Sequence, residues 1–244
     1  ASYNMAEAAI WMARNKMTQY AFTQPFRLYD KCTQEEADFF NAARNFPKAI
    51  GGHSAFQLTI PVKKYFQEHP EYFPLIKGER VCEGRVQRCL SHPEVQKIYE
   101  DAVYQYTLDG YHFFFGAEDR GNTFCQCDEC QKMGTVNGEY NTSNLVHRFF
   151  SLIAARVSQR NPSAKYFMHI YNDYRKMPTA ADVKYPPEVL GLYCSHQRCY
   201  VHEFNDPKCL SNAAQYAEFK DWMKICPNVA LRDYIQISHC DYAP

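Results

Sequence analysis

The chain has 244 residues, 46% of them hydrophobic, and its 27 basic side chains balance 27 acidic ones. That length suits one domain with an ample core, since α/β barrels commonly run to about 250 residues as a single unit. The even charge gives no pull toward nucleic acid or an anionic membrane, and no apolar run nears the roughly 20 residues of a spanning helix.

No signal peptide opens the chain, and the start at Ala1 reads as a processed or trimmed product. Eleven cysteines are many for this length. Outside the cell such usage means disulfides; in a reducing cytosol it means metal or redox chemistry. The odd number leaves at least one thiol unpaired if all the others bridge. Together with the single sequon Asn141-Thr142-Ser143, the cysteines favour an oxidising, extracellular or periplasmic setting. Aromatic residues reach 16%; they suit a sugar-binding cleft and a large core equally well.

In chain order, residues 5–15 read as a helix and 17–22 as a short strand. Thr33 stands three residues before Glu36, a capping box that opens a helix over 33–45. A glycine pair leads into an apolar segment, 50–58, read as a strand, and the proline- and aromatic-rich stretch 61–80 reads as loop. A helix begins near Ser91, with Pro93 and Glu94 in its first turn. Strands at 111–116, 166–172, 189–194 and 229–237 then alternate with helices around 141–161 and 212–226. Near-continuous apolar strands alternating with helices predict an α/β fold with a parallel sheet. There is no repeat and no clear linker, so the chain reads as one domain.

In a barrel the chemistry sits on the loops after the strands' carboxyl ends. Those ends carry His53, Glu118-Asp119, Asn172-Asp173, Ser195-His196 and Asp233-Tyr234. Loops are polar in any case, so each position has a plain reading as well. Glu118 and Asp119 follow the apolar run YHFFFG directly, where desolvation raises a carboxyl toward the value a general acid needs. Glycoside hydrolysis requires such an acid and a second group at the anomeric centre. Adjacent side chains diverge, however, and two solvated loop acids are the plain alternative.

Cys125, Cys127 and Cys130 form CxCxxC, three corners of a tetrahedral zinc site. No fourth ligand is adjacent; His147, Cys194 and Cys199 are the candidates. A disulfide reading ranks ahead of zinc because the second CxxC of a strong zinc signature is missing. His53 follows two glycines that let the backbone approach a ligand, or is a core histidine. Cys194, Cys199 and His202 invite zinc too, with a disulfide-bearing loop as the blander reading, and Trp222 reads as core. The chain has no phosphate-binding glycine loop, no GxSxG and no HExxH.

Several separated stretches together resemble one family: WMARNKM (11–17), GGHSAF (51–56), HPEYFPLIKGERV (69–81), CLSHPEV (89–95), EDRGNTFCQCDEC (118–130), YCSHQRCYVHEF (193–204) and the segment from Trp222 to Tyr234. They resemble domain of unknown function 4838, found in large secreted bacterial proteins and grouped with glycoside-hydrolase-like TIM barrels. HPEYF with CQCDEC is the specific part, and the stretches span nearly the whole chain in the family's order. The resemblance supplies Asp119, His53, Arg14, Tyr234 and the cysteine cluster as positions of interest. It departs at Glu118, where relatives carry asparagine; aspartate and glutamate then stand in reverse order to the pair of hexosaminidases. The family domain also continues past the point matching Pro244, so this chain reads as a fragment.

The expectation is a TIM-barrel-like (β/α) fold, incomplete, with about six strands in this chain. It would cleave or bind a complex extracellular glycan through Glu118 as general acid and Asp119 as stabilising carboxylate. Asp173 and Asp233 stand in reserve, with His53, Arg14 and Tyr234 binding hydroxyls. The rivals are a non-catalytic carbohydrate-binding barrel and a cysteine-stapled interaction module. The partner is a glycan or oligosaccharide, with neither nucleic acid nor a membrane span, and another chain or segment completes the barrel. No cofactor is expected beyond zinc at the CxCxxC cluster.

Overall fold

The structure, a computed structural model, describes residues 48–121 and 123–233. The helices expected at 5–15 and 33–45, the strand at 17–22, and Arg14 and Tyr234 lie outside the described residues.

Five strands form the main sheet: β1 (Lys48–Gly51), β4 (Tyr111–Phe115), β7 (Tyr166–Ile170), β8 (Val189–Cys194) and β9 (Asn228–Arg232). They pair in that order and every pair is parallel. Parallel neighbours need crossovers, and three of the four carry a long helix: α3 (Pro93–Leu108), α5 (Thr142–Arg160) and α6 (Leu210–Trp222); between β7 and β8 the chain returns with a single 3-10 turn, Asn172–Tyr174. The chain is therefore mixed α/β with a parallel sheet, as its apolar strands predicted.

Local chemistry sets the ends of these elements. Pro93 starts α3, where its missing N–H costs nothing, and Glu94 in the first turn accepts from the Tyr72 hydroxyl at 2.9 Å. Gly110, with φ 82°, turns the chain out of α3 into β4. Asn141, the sequon asparagine, caps α5: its side-chain oxygen accepts the Ser143 N–H at 2.8 Å.

The register decides what each face carries. Ile50, Phe113 and Tyr166 are in line, as are Phe115 and Met168. These side chains meet the helices in the main core. Tyr99 of α3 lies 5.7 Å from Phe113, and Phe150 of α5 lies 5.4 Å from Phe115, ring centre to ring centre. Much of the aromatic richness is thus core. The opposite face carries Phe114, Phe167 and His169, with Phe114 4.2 Å from His169.

Two expectations need correction. The segment 50–58 is not one strand: β1 stops at Gly51, and Ala55–Thr59 is a helix, α1. Gly51 and Gly52 have φ 116° and 64°, which ends the strand. The stretch 61–80 is not all loop either. It holds a short helix α2 (Val62–Tyr65) and a hairpin of β2 (Leu75–Ile76) and β3 (Glu79–Arg80). A second hairpin, β5 (Thr135–Val136) with β6 (Glu139–Tyr140), follows α4 (Asp128–Gly134). Among the described residues, no helix is long and apolar enough to cross a membrane.

Candidate functional site

The carboxyl ends of β1, β4 and β7 bring three predicted segments together. After β1, His53 donates from Nδ1 to the Ala117 carbonyl at 2.8 Å, which leaves Nε2 as the lone-pair nitrogen. Burial lowers its pKa, and the Asp119 charge pulls weakly the other way. The ring packs against His169 of β7 at 4.5 Å and Tyr171 at 5.1 Å. Asp119 is exposed beside them, and its charge adds to burial in raising the Tyr171 phenol. His169 is fully buried and contacts Arg232 of β9 through Nε2. Arginine can only donate, so Nε2 accepts and the ring proton sits on Nδ1.

Close backbone approach makes this geometry. A Cβ on Gly51 would stand 2.4 Å from the Phe114 carbonyl oxygen, and one on Gly116 would meet Gly52 at 2.8 Å. Only glycine lets the ends of β1 and β4 come this near and set His53 over Ala117.

Glu118 and Asp119 diverge, as neighbouring side chains do. Glu118 is 4% exposed, and neither of its oxygens has a hydrogen-bond partner. Burial pushes its carboxyl up to about 7, against the pull of Arg88 and Arg85 and a weaker one from the Gln57 backbone. Arg88 is fully buried beneath it and donates to the Ile60 carbonyl at 2.7 and 2.9 Å.

The reserve acids part company. Asp173 is exposed and borders a cavity of about 520 Å³ with Phe124, Gln126, Gln131, Tyr140 and Thr142. Asp233 forms a fork with Arg198, whose Nε lies 3.0 and 3.2 Å from its two oxygens. Ser195 adds a hydroxyl to Asp233 at 3.3 Å.

Residues 2–243 match the family described as a domain of unknown function, DUF4838. The chain belongs to that family. No curated protein and no solved structure matches it.

The specific family stretch CQCDEC forms one wall of a second constellation in this DUF4838 domain. Cys125, Cys127 and Cys130 gather with Cys89, all four sulfurs lying within 4.8 Å of one another, and the group could hold a metal ion. Among the described residues the expected disulfides are not formed: all nine described cysteines are free thiols. Sulfur–sulfur distances of 3.6 Å (Cys89–Cys127) and 3.8 Å (Cys89–Cys130) are far from a bond. None of the three expected fourth ligands joins the group. His147 is a core histidine, its nitrogens engaged at 2.7 Å by the Tyr185 hydroxyl and the Tyr174 carbonyl. Cys194 is buried in β8, and Cys199 lies elsewhere, 3.3 Å from His202. CLSHPEV, another of the family stretches, carries the missing ligand, Cys89.

Cys199, His202 and Cys209 form a smaller, more exposed group that could also hold an ion. A hydrogen bond from His202 brings the Cys199 thiol down to about 7. Trp222 is core as expected, fully buried, with its indole N–H on the Arg175 carbonyl at 2.7 Å.

Proposed function

We propose that this domain is a glycoside-hydrolase-like module that binds a complex glycan at the carboxyl edge of its parallel sheet and cleaves it there. The observation that carries the reading is the meeting of His53, Asp119 and Tyr171 from three different strand ends. An open carboxylate, a nitrogen lone pair and an aromatic ring on one edge suit a sugar, which offers hydroxyls and apolar ring faces. The cavity bordered by Asp173 continues the theme, with Phe124 and Tyr140 beside two glutamines. A TIM-barrel-like architecture belongs to the same reading. The five strands follow one another without reversal, as in a barrel, whereas doubly wound sheets reverse at a switch point.

In this reading Asp119 is the carboxylate beside the anomeric centre, and Glu118, its carboxyl pushed up to about 7 by burial, is placed to exchange near neutral pH the proton that a general acid delivers. Because Glu118 is sealed, delivery requires its side chain to turn outward while the backbone stays held. An extracytoplasmic location is part of the proposal and rests on the family resemblance, since unbridged cysteines give it no support.

A second reading, binding without turnover, is favoured by the burial of Glu118 and the engagement of Asp233 by Arg198. One experiment tests both: the full chain is incubated with immobilised polysaccharides and soluble oligosaccharides, reading retention and reducing-end release separately. Hydrolysis predicts release that Asp119→Asn and Glu118→Gln abolish with retention kept. Retention without release in the unaltered chain selects the binding module, and neither signal refutes the glycan reading.

A further inference from the structure

We propose that Cys89, Cys125, Cys127 and Cys130 bind one zinc ion as a closed tetrathiolate, and that this ion fixes the loop carrying Glu118 and Asp119. The zinc and its hold on the loop stand apart from the glycan reading.

The spacing of the sulfurs makes the first argument. Zinc binds thiolate at about 2.3 Å, so the edges of a regular ZnS4 tetrahedron measure about 3.8 Å. The Cys89 sulfur stands 3.6 Å from that of Cys127 and 3.8 Å from that of Cys130. No pair in the group exceeds 4.8 Å. Sulfurs this close surround a single ion and leave no room for a multi-iron cluster with its bridging sulfides. Four soft ligands in a tetrahedral array select zinc over the hard divalent ions.

The surroundings suit bound thiolates. The Leu75 N–H points at the Cys125 sulfur at 3.3 Å, the Arg80 guanidinium approaches it at 3.8 Å, and the Ser91 hydroxyl lies 3.1 Å from Cys130. Such outer donors orient metal ligands and offset the negative charge of four thiolates around one dication. Cys89, Cys125 and Cys130 are buried and Cys127 is half-buried, so the site is closed yet has one ligand near the surface. With four protein ligands there is no open position for substrate, which is the pattern of a structural zinc.

Position in the chain makes the second argument. Gln87, Arg88 and Cys89 are consecutive, and each serves the same loop. Gln87 hydrogen-bonds the Glu118 backbone at 2.9 and 3.0 Å, Arg88 places its charge under the Glu118 carboxyl, and Cys89 joins the cysteines beyond it. The β2–β3 hairpin locks on through the Gln126 N–H to the Leu75 carbonyl at 2.8 Å. Among the described residues between Phe115 and Asp128 there is no helix or strand. An ion joining Cys89 to Cys125, Cys127 and Cys130 therefore pins the far end of the stretch whose near end continues β4.

The test uses the full 244-residue chain purified from zinc-supplied medium without chelator. Elemental analysis should give zinc in a stoichiometry that falls by one ion per chain in Cys89→Ser and is unchanged in Cys82→Ser, outside the cluster. In case Cys89→Ser fails to fold, the unaltered chain is also stripped with a chelator. Release of the ion that Cys89→Ser loses should unmask four thiols to a thiol reagent, lower the melting temperature and speed amide exchange across residues 116–127. A melting temperature indifferent to the chelator in zinc-free protein, stoichiometric iron in place of zinc, or a disulfide within the four would overturn the zinc. Zinc release with unchanged exchange at 116–127 would overturn its hold on the loop. None of these readouts depends on a glycan, so failure here is distinct from failure of the glycan reading.

Discussion

Gln87 holds the Glu118 peptide from both sides: its Nε2 donates to the Glu118 carbonyl at 2.9 Å, and its Oε1 accepts the Glu118 N–H at 3.0 Å. The side chain is fully buried. A strand end has lost its ladder partners, and here one amide side chain replaces them, so the peptide between Ala117 and Asp119 cannot drift. Gln87→Leu keeps the bulk and strands both backbone groups. Leaving buried polar groups unpaired costs about 1–3 kcal/mol each, so urea denaturation should register a loss of at least that size. An unchanged midpoint would mean the loop finds other partners.

Gly51→Ala should be among the most damaging small substitutions in the chain. The residue sits at φ 116°, and a Cβ would stand 2.4 Å from the Phe114 carbonyl oxygen. That atom is backbone in the central part of the sheet and cannot swing away. Positive-φ strain alone costs about 1–3 kcal/mol, and separating β1 from β4 adds to it. Thermal melting should fall by several degrees at least, with His53 displaced from Ala117. A variant as stable as the parent would contradict the close approach.

Asn141→Ala should cost about 1 kcal/mol, the worth of one N-cap bond, and Asn141→Asp should restore most of it. The cap is the 2.8 Å bond from the Ser143 N–H. Equal stability of the two variants would show that the cap contributes nothing to α5.

How much of this was legible depends on the range of the interaction. The cores of β4, β7 and β8 and the long helices α3 and α5 follow from local patterns: apolar runs such as Tyr111–Phe115, Pro93 at a helix start, Asn141 before an amphipathic stretch. The hairpins carry a local signal too, one that the sequence reading above does not use. Lys77-Gly78 has φ 51° and 88°, and Asn137-Gly138 has φ 53° and 83°; Asn-Gly between short polar-apolar pairs is a strong hairpin signal. The end of β1 at Gly51 was half legible, because the glycine pair signalled a break that the following apolar residues masked. Cys89 was not legible, lying 38 residues from Cys127 in a stretch with no metal-ligand spacing of its own. Nor was the burial of Glu118 beside an exposed Asp119. Residue types announce an acid pair, but only packing over Arg88 and Tyr99 decides which of the two meets water.

The final prediction concerns pH, where two buried groups act in opposite senses. Burial takes Glu118 from an ordinary 4.5 up to about 7, and it takes His147 from 6.5 down to about 4. For Glu118 the folded chain binds the extra proton, so its contribution is whole below pH 4.5 and is lost as pH rises through about 7. For His147 the unfolded chain binds the extra proton, so its contribution is whole above pH 6.5 and is lost as pH falls through about 4. Between the two ordinary values the slopes oppose each other and largely cancel. Glu118→Gln removes one side of that balance while keeping shape. The variant and the parent should be nearly equal in stability near pH 4, where Glu118 is protonated in both states. The variant should then gain steadily, reaching about 3 kcal/mol over the parent by pH 8, at about 1.4 kcal/mol for each pH unit separating the folded and unfolded values. Urea midpoints measured from pH 4 to 8 with unchanged m values give the comparison directly. A stability difference that stays constant across that range would show that Glu118 titrates as an ordinary surface carboxyl, and its part as general acid would fall with it.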